Sequence, residues 1–119
     1  MGPAMSRSRS NPLRSSQAAP VFAALGDDTR LGIVARLCSS GPLSIVRLTE
    51  GAKITRQAIT KHLHTLADAG LVRSSRDGRE QIWELRPKRL VEARQYLVLI
   101  SGQWDEAIER LRELVETEK

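Results

Sequence analysis

Apolar residues in the first half of the chain recur every three or four positions, the spacing that places them on one face of a helix. The pattern predicts four helices. Pro20 begins the first, and Gly26 ends it in the left-handed conformation of a helix C-cap. Asp27, Ser44 and Thr55 can accept hydrogen bonds from free backbone N–H groups, so each is predicted to cap the next helix. The predicted helices run, in order, over residues 20–25, 28–39, 45–50 and 55–69.

The pattern changes between Leu71 and Leu85, where apolar and polar residues alternate around an Asp-Gly dipeptide at 77–78. Alternation favours strands, and Asp-Gly favours the tight turn that joins two antiparallel strands. This segment is therefore predicted to be a β-hairpin. Because an isolated hairpin is marginal in water, it must pack on the helices, through Leu71, through Ile82 or Trp83, and through Leu85.

A final helix is predicted after the hairpin, because Pro87 fits a first helical turn and the apolar residues beyond it step by three, four or seven. Together they form a longer apolar seam than one small domain readily covers, which predicts a partner helix. The alternative is that the seam packs entirely on its own domain. Its residues are Leu90, Leu97, Ile100, Trp104, Ile108, Leu111 and Leu114.

Composition and charge narrow the classes of function. The chain has 119 residues, 40% hydrophobic but only 3% aromatic, which suits one domain with an aliphatic core. No apolar run approaches the about 20 residues of a membrane span, so we expect a cytoplasmic protein without a membrane partner. The net charge of +5 divides into +8 over residues 1–89 and −3 over residues 90–119, which indicates a polyanionic partner for the first part.

The fourth helix carries the candidate chemistry. Its apolar stripe contains Ile59, Leu63 and Leu66, and its opposite face is polar and mostly cationic. Such a face fits the major groove of B-DNA, which is about 12 Å wide and offers hydrogen-bonding base edges, although a solvated face would also be polar. The predicted DNA-binding residues of this helix are Thr55, Arg56, Gln57, Thr60, Lys61 and His64.

Each of these side chains suggests a role. Arg56 can form two hydrogen bonds with a guanine, and Gln57 can form two with an adenine. Thr60 can donate or accept a hydrogen bond, and Lys61 is expected to contact a phosphate. Arg76 and Arg79 at the hairpin tip are predicted to enter a minor groove or grip phosphates, although tip arginines also solubilise a loop.

A short helix, a tight turn, a polar-faced helix and a basic hairpin follow one another in the order of a winged helix-turn-helix. The predicted fold is therefore mainly α with a small β-hairpin wing. The predicted partner is double-stranded DNA.

Residues 21–85 resemble the ArsR-type (arsenic-repressor-like) family of bacterial regulators. The segment FAALGDDTRL at 22–31 resembles the family's opening signature, although proline often stands where Asp28 is. TRQAITKHL at 55–63 is similar to its recognition helix, and AGLV at 69–72 to its exit into the wing. The resemblance implies a homodimer that pairs its first and last helices and binds a partly palindromic operator, usually as a repressor. The dimer contacts so implied are Val21, Phe22, Leu97, Ile100, Trp104, Ile108 and Leu111.

Many members of that family sense metals, but this chain departs from their pattern. The third helix lacks the Cys-x-Cys pair, and no histidine follows His64, so we predict neither a metal site nor a cofactor. His62 lies two residues from His64, on another face of the helix, and is expected to pack or bond locally. The single cysteine, Cys38, falls on the apolar face of the second helix and is predicted to be buried and unreactive. A redox switch would need a second thiol, from this chain or across a dimer.

An enzyme is not predicted, because the chain has no phosphate-binding glycine loop and no serine or cysteine in a nucleophile setting. Two alternatives to a simple repressor stay open. One is a winged-helix protein-interaction module without specific DNA binding. The other is a DNA-binding repressor gated by a small apolar effector between the last helices, and the sequence names no such ligand.

The chain is thus predicted to have three parts. Residues 1–17 form a flexible arm, because they are rich in Ser, Arg and Pro and hold too few apolar residues to offset the entropy of ordering. Within it we interpret the opening MGPAM, residues 1–5, as a candidate cloning remnant. Residues 18–86 form the winged helix-turn-helix DNA-binding domain, and residues 87–119 form the dimerisation helix.

Overall fold

Helices dominate the architecture. The computed structural model describes residues 14–117, which form five helices and three short strands. In chain order these are α1 (Ser15–Leu25), α2 (Asp28–Ser40), β1 (Leu43–Ser44), α3 (Ile45–Thr49), α4 (Arg56–Asp68), β2 (Val72–Asp77), β3 (Glu80–Leu85) and α5 (Pro87–Thr117). The predicted class, mainly helical with a β-hairpin wing, is confirmed.

The three predicted N-caps form as expected. The side chains of Asp27, Ser44 and Thr55 each accept a hydrogen bond from the backbone N–H three residues further on, at 3.0, 3.2 and 3.1 Å. Each bond satisfies one of the amide groups that an α-helix leaves free at its start. As a result α2, α3 and α4 begin where the sequence predicts.

The start of α1 was predicted too late. The helix begins at Ser15, so Pro20 lies inside it and the last residues of the predicted arm are helical. Proline was expected at the start because it has no amide hydrogen to donate. The earlier turn is held because Ala18, on the same face as Val21, is buried in the core. Residues 1–13, the rest of the predicted arm, lie outside the described residues.

Gly26 does not end α1 in the left-handed conformation, and that prediction is wrong. Its φ is −81°, which any residue adopts. The glycine is explained by lack of room for a side chain and not by its backbone conformation. A Cβ at this position would lie 3.3 Å from the carbonyl oxygen of Phe22. The next helix begins almost at once at Asp28, so the chain turns sharply against the end of α1.

The strands form one antiparallel sheet of order β1-β3-β2. The hairpin was predicted, but β1, in which Leu43 lies opposite Trp83, was not. Asp77 pairs with Glu80, so the two turn residues are Gly78 and Arg79 rather than the Asp-Gly pair. Gly78 has a φ of +66°, which the first central position of a type II′ turn requires and glycine adopts at little cost.

The core lies where α1, α2 and α4 meet the inner face of the sheet. The side chains of Leu63 and Leu66 in α4, and of Leu71 just after it, have 0% exposure. Of the two wing residues considered for packing on the helices, Trp83 is buried and Ile82 only half-buried. The hairpin is therefore anchored through Leu71 and Trp83, with Leu85 half-buried beside them.

Leu66→Ala should reduce the free energy of unfolding by about 2–5 kcal/mol, because it removes buried methyl groups and leaves a cavity under the fourth helix. Denaturant titration at one fixed protein concentration measures this. Lys88→Ala, at an exposed position of α5, is the control and should change stability by less than about 0.5 kcal/mol. Equal stability of the Leu66 and Lys88 variants would contradict the described core.

Candidate nucleic-acid interface

The fourth helix presents one polar face to solvent. Ile59, Leu63 and Leu66 are buried, which fixes the rotation of α4 and turns the opposite side outward. The predicted contact residues Thr55, Arg56, Gln57, Lys61 and His64 are all exposed.

Thr60 differs from the other predicted contacts. It is half-buried, and its hydroxyl donates to the carbonyl oxygen of Arg56 at 2.9 Å. Its proton is thus already used within the helix, which leaves the hydroxyl oxygen as an acceptor. The structure therefore restricts the predicted freedom of Thr60 to meet a group of either polarity.

The cationic candidates are not neutralised by neighbours. The ion pairs between described side chains involve Arg47, Arg73, Arg89 and Arg112, with one further contact between His62 and Asp27. None of them includes the four predicted DNA-binding cations, which are Arg56, Lys61, Arg76 and Arg79. Their charges remain available to an external anion.

The two faces of the wing have different roles. Strand alternation and register place Ser74 opposite Trp83, and Arg76 opposite Gln81, all on the face that packs toward the helices. On the other face, Arg73 lies 2.7 Å from a carboxylate oxygen of Glu84. The wing thus directs Arg76 to the side of the fourth helix and pairs Arg73 away from it.

His64 marks the junction between α4 and the wing. Its ring centroid lies 5.9 Å from that of Trp83, with the two rings tilted by 50°. One end of the polar face therefore adjoins the sheet face that carries Arg76, and Arg79 extends at the turn beyond it. The polar face of α4 and the helix-side face of the wing meet at His64 and Trp83.

Two polar residues at this junction were missed from sequence. Gln81 and Ser74 share the face of Arg76, and the amide Nε2 of Gln81 donates to Ser74 Oγ at 3.1 Å. Alternation along β2 alone places Ser74 on the face of Arg76, whereas Gln81 is placed there only by the register of the hairpin.

A polar cluster ties the fourth helix to the helix before it. The guanidinium of Arg30 donates through Nη1 to His62 Nδ1 at 3.1 Å and through Nε to the carbonyl oxygen of Ala24 at 2.6 Å. Because a guanidinium has only donors, this ring nitrogen acts as the acceptor. His62 therefore bonds to α2, not locally as predicted, and helps to hold the orientation of α4.

The apolar seam predicted along the last helix is exposed to solvent. Ala93 is buried against the domain, but beyond Tyr96 the apolar residues are largely exposed, with Trp104 at 66% and Leu111 at 61%. Among described residues, the exposed large hydrophobic side chains on the predicted seam are Leu97, Ile100, Trp104, Ile108, Leu111 and Leu114.

The two predicted dimer contacts in α1 are placed differently. Val21 is 1% exposed within the core of its own chain, so it has no surface to give to a partner and does not fit the predicted role. Phe22 is half-buried, with its ring centroid 6.0 Å from that of Tyr96 in α5. This contact joins the first and last helices of the same chain beside the seam.

Cys38 is exposed, and its predicted burial is wrong. The inward side of α2 is formed by Ile33, Val34 and Leu37, which leaves Cys38 on the outward edge of the apolar face. Within residues 14–117, no three His, Cys, Asp or Glu side chains form a group that could hold a metal ion. None of the helices in that range has an apolar stretch long enough to cross a membrane.

Comparison with known proteins identifies similar regulators. A family model described as a helix-turn-helix domain matches residues 25–75. The HTH-type transcriptional regulator Rv2034 of Mycobacterium tuberculosis is 33% identical over 95 residues, which cover 80% of this chain and 85% of that protein. An uncharacterized HTH-type transcriptional regulator of Bacillus subtilis, YuzN, is 44% identical over 68 residues, or 52% and 74% of the two chains.

A solved structure agrees with these sequence relatives. The ArsR-like transcriptional regulator from Rhodococcus sp. RHA1 superimposes with a TM-score of 0.70 at 33% sequence identity. The match covers 83% of this chain and 92% of that one, so it includes much more than the helix-turn-helix itself.

The Asp27 cap leads to a pH prediction. The pKa of this carboxyl lies below the ordinary value of 3.8, chiefly because the backbone N–H of Arg30 donates to the charged form. A carboxyl whose pKa is lower in the folded state contributes stability above its unfolded pKa and loses it as pH falls through the folded value. Wild type should therefore lose more stability than Asp27→Asn between about pH 5 and pH 2, since asparagine caps without titrating.

Denaturant unfolding at a series of pH values measures this difference. Asp28→Asn removes the adjacent charge without touching the cap and is the matched control. Parallel curves for wild type and Asp27→Asn would contradict the proposed origin of the pKa shift.

Proposed function

Because the chain belongs to the ArsR-type family of winged helix-turn-helix transcriptional regulators, we propose that it is a dimeric repressor that occupies a partly palindromic DNA operator. The family consists of DNA-binding regulators, not enzymes. Repression then follows from occupancy alone, since a protein bound over a promoter excludes polymerase without any chemical step. In this proposal residues 18–86, extended by the start of α1, bind DNA, and residues 87–119 join the two copies.

The observation that carries the proposal is the set of unpaired cations on the polar face of α4 and in the wing. Arg56 and Lys61 on the fourth helix, and Arg76 and Arg79 in the wing, have no carboxylate partner among the described residues. A protein-interaction module would have no need for this arrangement. Binding of duplex DNA does use it, because available cations neutralise phosphates of the backbone.

The side chains divide into base readers and phosphate contacts. We assign Arg56 and Gln57 to base edges in the major groove, with Thr60 as an acceptor, since its proton is already donated to Arg56. Lys61 and His64 suit the flanking backbone, and the wing arginines suit a minor groove or its phosphates. Thr55 supports the site as the helix cap, and Gln81 joins Arg76 as a further wing candidate.

The last helix supports the dimer. From Ala93 onward its apolar residues alternate by four and three positions, the repeat by which two helices pack along a shared seam. The series is Ala93, Leu97, Ile100, Trp104, Ala107, Leu111 and Leu114. Its first member is buried on the domain, and its later members are exposed except for the half-buried Ala107, so the same stripe continues beyond what one chain covers. A second copy offers an identical stripe and closes the seam by two-fold symmetry.

Arg56→Ala should weaken binding to the specific site by about 1–3 kcal/mol and relax specificity at one base pair, whereas Lys61→Ala should weaken all duplexes alike. Binding is compared between the DNA upstream of its own gene and a random duplex of equal length, in a salt titration. Arg73→Ala is the matched control, because this wing arginine pairs with Glu84 on the outer face. Equal loss on both duplexes for Arg56→Ala would contradict its assigned role.

Leu111→Glu should convert the dimer to a monomer and reduce specific DNA affinity, because it places a charge in the apolar seam. Val98→Glu introduces the same charge at a position that is also exposed but lies off the seam, so this control should stay dimeric. Sedimentation equilibrium measures the oligomeric state of the two variants, after the helix content of each has been checked. A Leu111→Glu protein that remains dimeric would exclude this seam as the interface.

A further inference from the structure

An open cavity of about 660 Å³ lies between α2, the end of α3 and the start of α4. None of the residues that line it belongs to the seam of the last helix. Its volume falls within the about 300–1,000 Å³ of typical small-molecule sites. The residues that define it are Gly32, Ile33, Arg36, Leu48, Lys53 and Ile59.

The inner part of this cavity is apolar. Ile33, Leu48 and Ile59 contribute side chains that are otherwise buried in the core. Gly32 forms an opening in the wall on the α2 side, because no atom lies within 4 Å of the place that a Cβ would occupy. Glycine within a helix destabilises it relative to alanine, and here no close approach explains the residue. A larger side chain at this position would extend into that open space.

Two cations belong to the same cavity. Neither Arg36 nor Lys53 takes part in an ion pair between described side chains, and the one bond found for Arg36 is from Nη1 to the carbonyl oxygen of Leu48, at 3.2 Å. The carboxylate of Glu50, the acidic residue in the lining, lies 3.4 Å from Arg47, which is not part of the cavity. An apolar space with two such cations complements a molecule that has an apolar body and one negative head group.

We propose that this cavity binds a small amphipathic carboxylic acid, with its apolar body against Ile33 and Ile59 and its carboxylate at Arg36 and Lys53. If the protein is the proposed DNA-binding repressor, on which this step rests, binding of the acid in the cavity lowers its affinity for DNA. The carboxylate competes with the Leu48 carbonyl for Arg36, and that bond ties the end of α3 to α2. The turn over residues 50–54 also lines the cavity and leads directly into Thr55 and Arg56.

The test uses the full chain with decanoate and 4-phenylbutyrate as probes, titrated by calorimetry. Wild type should bind at least one of them saturably, with one site per protomer. Gly32→Leu, which fills the cavity, and Arg36→Met, which keeps the stem but removes the charge, should each weaken binding at least tenfold. Ala35→Leu places the same side chain at an exposed position of α2 and should bind as wild type does. Thermal melts confirm that all variants fold.

Coupling to DNA is measured in the same proteins. By reciprocal linkage, a saturating concentration of the bound acid should reduce specific DNA affinity at least fivefold in wild type and Ala35→Leu, but not in Gly32→Leu. Absence of saturable binding of both acids overturns the proposal, as does equal binding by Gly32→Leu and Ala35→Leu, which would assign the acid to another surface. If wild type without acid binds the specific and the random duplex equally, the proposed function is overturned. The calorimetry still shows whether the cavity binds the acid.

Discussion

One face of the fourth helix is buried in the core, and this burial determines how the neighbouring elements are placed. Leu63 and Leu66 have no exposed surface, so α4 cannot rotate without losing the core. Helical geometry then fixes the polar face about half a turn away. The Thr55 cap sets where the helix begins, and the bond from Arg30 to His62 ties it to α2. The orientation of the DNA-facing side is therefore a consequence of packing.

The wing depends on the same core. Leu71 and Trp83 anchor the sheet next to α4, and β1 adds a second paired edge to β3 that the hairpin alone would lack. Because strand side chains alternate, fixing Trp83 inward also fixes Arg76 on the helix side and Arg73 on the other. Helix and wing thus act as one surface. A single copy leaves the apolar seam of α5 uncovered, which is why the proposed function includes a dimer.

Much of this arrangement could be predicted from the sequence, because it rests on local chemistry. The caps at Asp27, Ser44 and Thr55, the apolar stripe of α4 and the turn near Gly78 depend on residues close together in the chain. The features that were wrong or missed depend on distant contacts. Nothing local reveals that Leu43 pairs with Trp83, and spacing alone cannot tell which edge of an apolar helix face packs inward.

The two misassigned residues of the apolar faces illustrate this limit. The sequence pattern places both Val21 and Cys38 on apolar helix faces. In the structure, however, Val21 is buried within its own chain and Cys38 is exposed. Which of them is available to a partner or to a reagent is decided by how α1 and α2 pack on the other elements. Periodicity identifies a helix face, and the tertiary contacts determine its use.

Selection of bound duplexes from a random DNA pool shows whether the protein recognises a specific operator, because the experiment assumes no operator sequence. A dimer with two exposed recognition helices should enrich a partly palindromic sequence, with half-sites about 34 Å, or 10–10.5 base pairs, apart and two protomers per duplex. Affinity for that sequence should exceed affinity for random DNA by about a thousandfold or more. Recovery of unenriched DNA, with equal binding to every sequence, would contradict the account.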